Sequence, residues 1–308
     1  YTARLLYVFY FGLTFLEFLF LIFAGMPVFD AITTSFSTAG TGGFGIKNDS
    51  LTSYSVSVQW IVTVFMILFG INFNAYYLIF FGNIKKVLEL EEVRYYLGII
   101  LFSIVVISCN IYSMCQGLFD TITKSSFQVA SIITTAGFTT TDFALWPKTS
   151  QIILVMLMFV GACAGSTGGG IKVSRFVILF KTIFKEFNSY IHPHSVKKIK
   201  MDGKSIEHDV IRSVNVHMIT FIALFAISVF IISFENLDLT TTFTAVATTI
   251  NNVGPGLELV GPTHNFADFS VLSKYVFIFD MIAGRLELFP LLILFHPGAW
   301  KDFFKKSK

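Results

Sequence analysis

Three short stretches combine hydroxyl side chains with glycine on one spacing: Ser37-Thr-Ala-Gly-Thr-Gly-Gly-Phe44, Ser131-Ile-Ile-Thr-Thr-Ala-Gly-Phe-Thr139 and Thr248-Thr-Ile-Asn-Asn-Val-Gly-Pro255. They align on Gly43, Gly137 and Gly254. The chemistry open to such stretches is coordination. Glycine lets the backbone approach closely and take angles other residues resist. Carbonyl and hydroxyl oxygens from several such loops can then replace the water shell of a cation such as K+. The candidate ion-binding residues are Thr41, Gly42, Gly43 and Phe44; Thr134, Thr135, Ala136, Gly137 and Phe138; and Asn251, Asn252, Val253, Gly254 and Pro255. Taken singly, each glycine is an ordinary turn residue. The threefold recurrence carries the argument.

A second constellation is Gly161-Ala-Cys-Ala-Gly-Ser-Thr-Gly-Gly-Gly170, in the middle of an apolar run. Gly161 and Gly165 have the spacing of close helix packing, but Gly168-Gly-Gly170 should break a helix outright. A phosphate loop is excluded, because Ile171 displaces Lys172 from its place and no soluble strand precedes the run. Residues Gly161, Ala164, Gly165, Ser166, Thr167, Gly168, Gly169 and Gly170 therefore predict a flexible break that can block or open a path below the ion site. Asp280, Arg285 and Glu287 lie in the last apolar run, where ionisable groups face a cavity or a partner. Arg285 either sets an electrostatic barrier beneath the loops or pins the break; a snorkelling Arg is the plainer alternative. Arg285 and Glu287 are two apart, so their partners must come from elsewhere. No Ser/His pair or paired carboxylate lies inside the runs, and His192-Pro-His194 has no third metal ligand. The prediction is neither an enzyme nor a cofactor protein.

These residues need elements to hold them. The chain of 308 residues is 54% hydrophobic and 13% charged, with a mean hydropathy of +0.73. A soluble chain would carry about 25% charge, so lipid is the implied solvent. Leu5–Ala24, Val56–Phe81, Tyr95–Met114, Ile152–Phe184, Val214–Phe234 and Phe269–Phe295 are candidate spans. Between the members of each pair lies a shorter amphipathic segment, Val28–Ser37, Phe119–Ile133 or Leu239–Thr249, running into a Gly-centred loop. These read as re-entrant helices, which must be buried in protein or line a cavity. Each begins with an acid, Asp30, Asp120 or Asp238, placed to cap free amides. The negative end of each helix then points at the loop, where a cation is favoured. The fold class is an all-α membrane protein of tandem helix–pore-helix–helix repeats around a pseudo-fourfold pore, with units 1–94, 95–212 and 213–308.

Charge sets orientation. Lys85, Lys86, Arg94, Lys185, Lys197, Lys198, Lys200, Lys204, Arg212, Lys301, Lys305, Lys306 and Lys308 lie on one side, against Lys47 and Lys148 on the other. Both termini and the basic loops are predicted to be cytoplasmic. The stretch Lys185–Arg212 lacks the interleaved aromatics of a nucleic-acid site.

The quoted loops, the Gly161–Gly170 run and Gly284-Arg-Leu-Glu-Leu288 resemble motifs of the Trk/Ktr/HKT superfamily of K+ transporters, most closely its TrkH-type pore subunit. The resemblance covers essentially the whole chain. It implies K+ uptake across the bacterial inner membrane through a carbonyl-lined filter, with Gly161–Gly170 as the intramembrane gate and Arg285 beneath the filter. It also implies a homodimer and a cytoplasmic nucleotide-binding regulatory subunit of the TrkA kind. Alternatives are a Ktr-type Na+-dependent transporter, a symporter, or a secondary solute transporter with broken helices. Family members carry four repeats, and the loops here match the second, third and fourth. The chain opens at Tyr1 rather than Met, so the expectation is either a longer protein with a first repeat upstream or a form that does not conduct alone.

Overall fold

The computed structural model describes residues 2–82, 84–193, 198–295 and 298. His194, Lys197, Lys301, Lys305, Lys306 and Lys308 lie outside the described residues. The order is α1 (Thr2–Phe23), α2 (Val28–Ala39), α3 (Val56–Phe69), α4 (Phe73–Phe80), α5 (Ile84–Glu89), α6 (Glu91–Ile111), α7 (Leu118–Ile133), α8 (Lys148–Val160) and α9 (Val173–Ile191). A two-stranded hairpin follows, β1 (Lys200–Met201) and β2 (Lys204–Ser205), then α10 (His208–Ile232), α11 (Leu239–Ile250), α12 (Val271–Arg285) and α13 (Phe289–Ile293). The hairpin interrupts the otherwise all-helical fold. Its turn at Asp202-Gly203 has left-handed φ values of 52° and 77°, as a two-residue hairpin turn of this hand requires.

The three short helices fall where the sequence predicts them. Exposed hydrophobics such as Phe11, Phe15, Leu101, Phe102, Ile219 and Phe230 cover α1, α6 and α10. The short helices lie inside. Helix α7 is buried at every position from Ser125 to Ile133 and packs on α3, α6 and α8. Its buried threonines are satisfied without water by bonding back one turn: Thr121 Oγ1 donates to Gly117 O and Thr123 Oγ1 to Phe119 O, each at 2.8 Å. Thr38, Thr244 and Thr249 do the same in α2 and α11. A Thr-rich helix is thereby made compatible with a membrane interior.

Two span predictions need correction. Val56–Phe81 is not one helix: α3 and α4 meet at 91° across Gly70-Ile-Asn72. Phe269–Phe295 likewise stops at Arg285, turns through Glu287 and Leu288 at φ 58° and 62°, and restarts as α13. Three described helices are long and apolar enough to cross a membrane, or four if the bent pair counts as one span. The acid caps also differ from expectation. Asp238 does cap α11, accepting the Thr241 amide at 2.8 Å. Asp30 instead accepts from Tyr54 Oη at 2.6 Å, tying α2 to the loop before α3. Burial, and then this carboxylate, pushes the Tyr54 phenol up to about 12. Asp120 pairs with Lys124 at 2.8 Å and accepts the Gln116 amide, while Pro27 and Gly117 stand at the cap positions of α2 and α7.

Candidate functional site

The three re-entrant helices end in the same way, residue for residue. Their cap residues Gly40, Thr134 and Asn251 bond back to Phe36, Ala130 and Ala247. The next residues, Thr41, Thr135 and Asn252, turn left-handed at φ 49°, 58° and 56° and donate to Thr38, Ile132 and Thr249. Gly42, Ala136 and Val253 then donate to Ser37, Ser131 and Thr248 at 2.8, 2.9 and 2.8 Å. This pair of bonds is the Schellman motif. After it the chain climbs through Gly43, Gly137 and Gly254, at φ 66°, 85° and 109°. The motif uses up the last helical carbonyls and leaves those of the following residues free of helical partners.

The loops also meet one another. A Cβ built on Gly43 would overlap the Ala136 carbonyl, and one built on Gly137 would overlap the Val253 carbonyl. The first and second loops thus each lie with their glycine against a carbonyl oxygen of the loop that follows in sequence, while Gly254 of the third loop meets no carbonyl. Behind the second loop Ser131 Oγ donates to Phe138 O at 2.6 Å, and the Thr139 amide donates to Ser50 Oγ. Phe138 is fully buried, whereas Phe44 is 83% exposed.

The run Gly161–Lys172 is irregular backbone between α8 and α9, with positive φ at Gly161, Gly165, Gly170 and Lys172. It touches all three loops from one side. Thr41 Oγ1 donates to Thr167 O at 3.1 Å, Thr135 Oγ1 accepts the Gly169 amide at 2.6 Å, and a Cβ on Gly169 would come within 2.6 Å of Asn251 O. Arg285 joins two of these groups, its Nη1 donating to Thr167 O at 3.1 Å and its Nη2 to Gly40 O at 3.4 Å. Ser166 to Gly170, Lys172, Gly284, Arg285 and Glu287 line a cavity of about 200 Å³. Of the residues predicted for this break, Thr167, Gly168 and Gly169 lie against the loops, whereas the contacts of Gly161, Ala164 and Gly165 are with other parts of the structure. Ala164 contributes through its amide, and Gly165 accepts the Phe73 amide at 3.2 Å.

Several neighbours of the run escape a reading of the sequence. Glu92, 6% exposed at the start of α6, accepts the amides of Ala164 and Ser174. Buried Lys172 donates to Gly168 O. Glu287 has its partner in Arg175, at 2.7 Å, so Arg285 and Glu287 are each bonded from other elements as their spacing implied, and Asp280 accepts from Ser228 Oγ of α10 at 2.8 Å. Asn72 and Gly70, at the bend of α3 and α4, hold the run from the side, Gly70 O accepting the Cys163 amide at 3.0 Å. The carboxylate pair Glu91-Glu92 at the head of an apolar span was the one visible signal.

The fold and this site define a membrane-embedded, all-helical protein of repeated helix–re-entrant-helix–helix units. A family model for TrkH, a cation transport protein, matches residues 1–302. The chain is 36% identical over 307 residues to the Trk system potassium uptake protein TrkH of Salmonella typhimurium, covering 98% of this chain and 63% of that protein. It is 32% identical to the Trk system potassium uptake protein TrkG of Escherichia coli K12, over 91% of this chain and 58% of that one. The crystal structure of the potassium transporter TrkH from Vibrio parahaemolyticus superposes with a TM-score of 0.90 at 35% identity, covering 97% of this chain and 65% of that one. This chain belongs to the TrkH family of cation transport proteins, which are transporters and not enzymes. It spans a little under two thirds of the length of these relatives.

Proposed function

We propose that the chain forms part of a K+ uptake path through the bacterial inner membrane, with Thr41–Phe44, Thr134–Phe138 and Asn251–Pro255 as three walls of the selectivity filter. The observation that carries this reading is the identical ending of α2, α7 and α11, with the glycines of the first two loops each seated on a carbonyl of the loop that follows. Such loops present oxygens at fixed spacing with no side chain in between, as a dehydrated cation needs. The relatives, potassium uptake proteins of the Trk system, agree with it. The run Gly161–Gly170 acts as the gate, held against the filter by Arg285. Inward flow follows the inside-negative potential, which supplies about 2.3 kcal/mol per charge for each 100 mV. By the same kinship the molecule works as a homodimer with a nucleotide-binding cytoplasmic subunit of the TrkA kind, and its termini are cytoplasmic.

The test is ion flux into proteoliposomes. Gly137→Ser should lower the preference for Rb+ over Na+, since its side chain would intrude on Val253 O. An unchanged ratio overturns the filter assignment. Deleting part of Gly161–Gly170 should raise basal flux, and a flux no larger than the unaltered protein's removes the gate.

A further inference from the structure

Helices α6 and α9 both begin without a cap of their own. Leu90 precedes α6 and Lys172 precedes α9, and neither side chain accepts a bond from the helix it starts. Each start exposes free amides at a positive dipole end. In both cases an acid from another element fills the place. Asp202, at the tip of the hairpin, accepts the Glu91 amide at 2.7 Å. One residue on, Glu92 Oε1 accepts the Ser174 amide in the first turn of α9 at 3.2 Å and the Ala164 amide inside the Gly-rich run at 2.6 Å. Lys181 of α9 closes the circuit by pairing with Glu91 and donating to Lys200 O, at 2.7 Å, in the hairpin.

We propose that Glu91 and Glu92 are positioning residues that couple the hairpin Lys200–Ser205 to the Gly-rich run. Asp202 fixes where α6 starts, the start of α6 fixes Glu92, and Glu92 holds the run against α9. Pulling the hairpin away removes the cap of α6 and frees the Ala164 and Ser174 amides from Glu92. The functional consequence rests on the reading of Gly161–Gly170 as a gate; the mechanical link does not.

The probe is Cys163, buried within the run, in a protein whose Cys109 and Cys115 are replaced by Ser. Its rate of modification by a small thiol reagent is measured in proteoliposomes alongside Rb+ flux. Loss of bonds to a charged acceptor in Glu92→Ala should raise that rate roughly tenfold. Glu92→Gln removes the same charge beside the thiol but keeps an acceptor oxygen, so the excess of the Ala rate over the Gln rate reports the lost bonds. Asp202→Ala, on the far side of α6, should raise it about threefold, the size of a lost cap. Adding Asp202→Ala to Glu92→Ala should give no further increase, because both act through one element. A wild-type rate in Asp202→Ala, or independent effects in the double variant, overturns the coupling. If Glu92→Ala lowers the yield, Asp202→Ala carries the test, and an unmoved rate there defeats it. Faster labelling with unchanged flux upholds the coupling and removes the gate.

Discussion

The three aligned glycines do not meet the same surroundings. A Cβ at Gly43 or Gly137 would enter the carbonyl oxygen of the neighbouring loop, whereas at Gly254 the nearest atom is the Gly137 Cα at 3.9 Å. Gly254→Ala therefore bears only the cost of its left-handed φ, about 1–3 kcal/mol. Gly43→Ala and Gly137→Ala bear that cost and also force two loops apart. Selectivity measured as a Rb+/Na+ flux ratio should fall steeply in the first two and modestly in Gly254→Ala. Equal losses in all three would show that backbone conformation alone sets the requirement. The glycines could be read from the sequence because each needs a positive φ at one fixed distance from a helix end. Glu92 and Lys172 could not. Their roles depend on which amides and carbonyls lie beside them, across 72 residues in the contact between Glu92 and Ala164, and nothing local in the chain records that.

Helices show the same division. The short re-entrant helices were legible because amphipathic segments too short to span run into glycine loops. The bend between α3 and α4 was hidden within an unbroken apolar run, since hydropathy counts length and not direction. Its cause is tertiary: Cys163 and Phe73 exchange backbone bonds with Gly70 and Gly165 across the two breaks. Gly70 itself has an ordinary φ of −76°, so alanine there would be welcomed by the helix backbone. What forbids it is packing: the new methyl would strike the hydroxyl of Tyr96 and come within 2.9 Å of Thr134 Cγ2. Gly70→Ala should lower the melting temperature in detergent, by an amount set by about 1–3 kcal/mol of overpacking. Tyr96→Phe removes the obstructing oxygen, so the double variant should recover part of that loss. A double variant whose loss equals the sum of the two single losses would show that the Tyr96 hydroxyl is not what excludes a side chain at Gly70.

Across the whole molecule the same unit recurs: α1, α2 and the bent α3–α4; α6, α7 and the broken α8–α9; α10, α11 and the interrupted α12–α13. We propose repeat units at 1–94, 95–212 and 213–308 on this basis. In every unit the second long helix is interrupted, at Gly70–Asn72, Gly161–Lys172 and Leu286–Leu288, and the middle break contacts loops from all three units. Such convergence requires the units to run in the same direction across the bilayer. Charge gives that direction a sign. Lys198, Lys200 and Lys204 lie in or beside the hairpin, Lys181 bonds to it, and Arg212 follows near the start of α10, while Asp142, Asp238 and Glu258 line a cavity of about 370 Å³ beside the loops that follow α7 and α11. The basic side should face the cytoplasm. In a background with its three native cysteines replaced, Lys204→Cys and Asn265→Cys, both at exposed positions, should react with a membrane-impermeant thiol reagent from opposite sides. Asn265→Cys should label in intact cells and Lys204→Cys only after permeabilisation. Labelling of both from the same side would set the last unit against the orientation of the other two, and three filter walls could not then face one path.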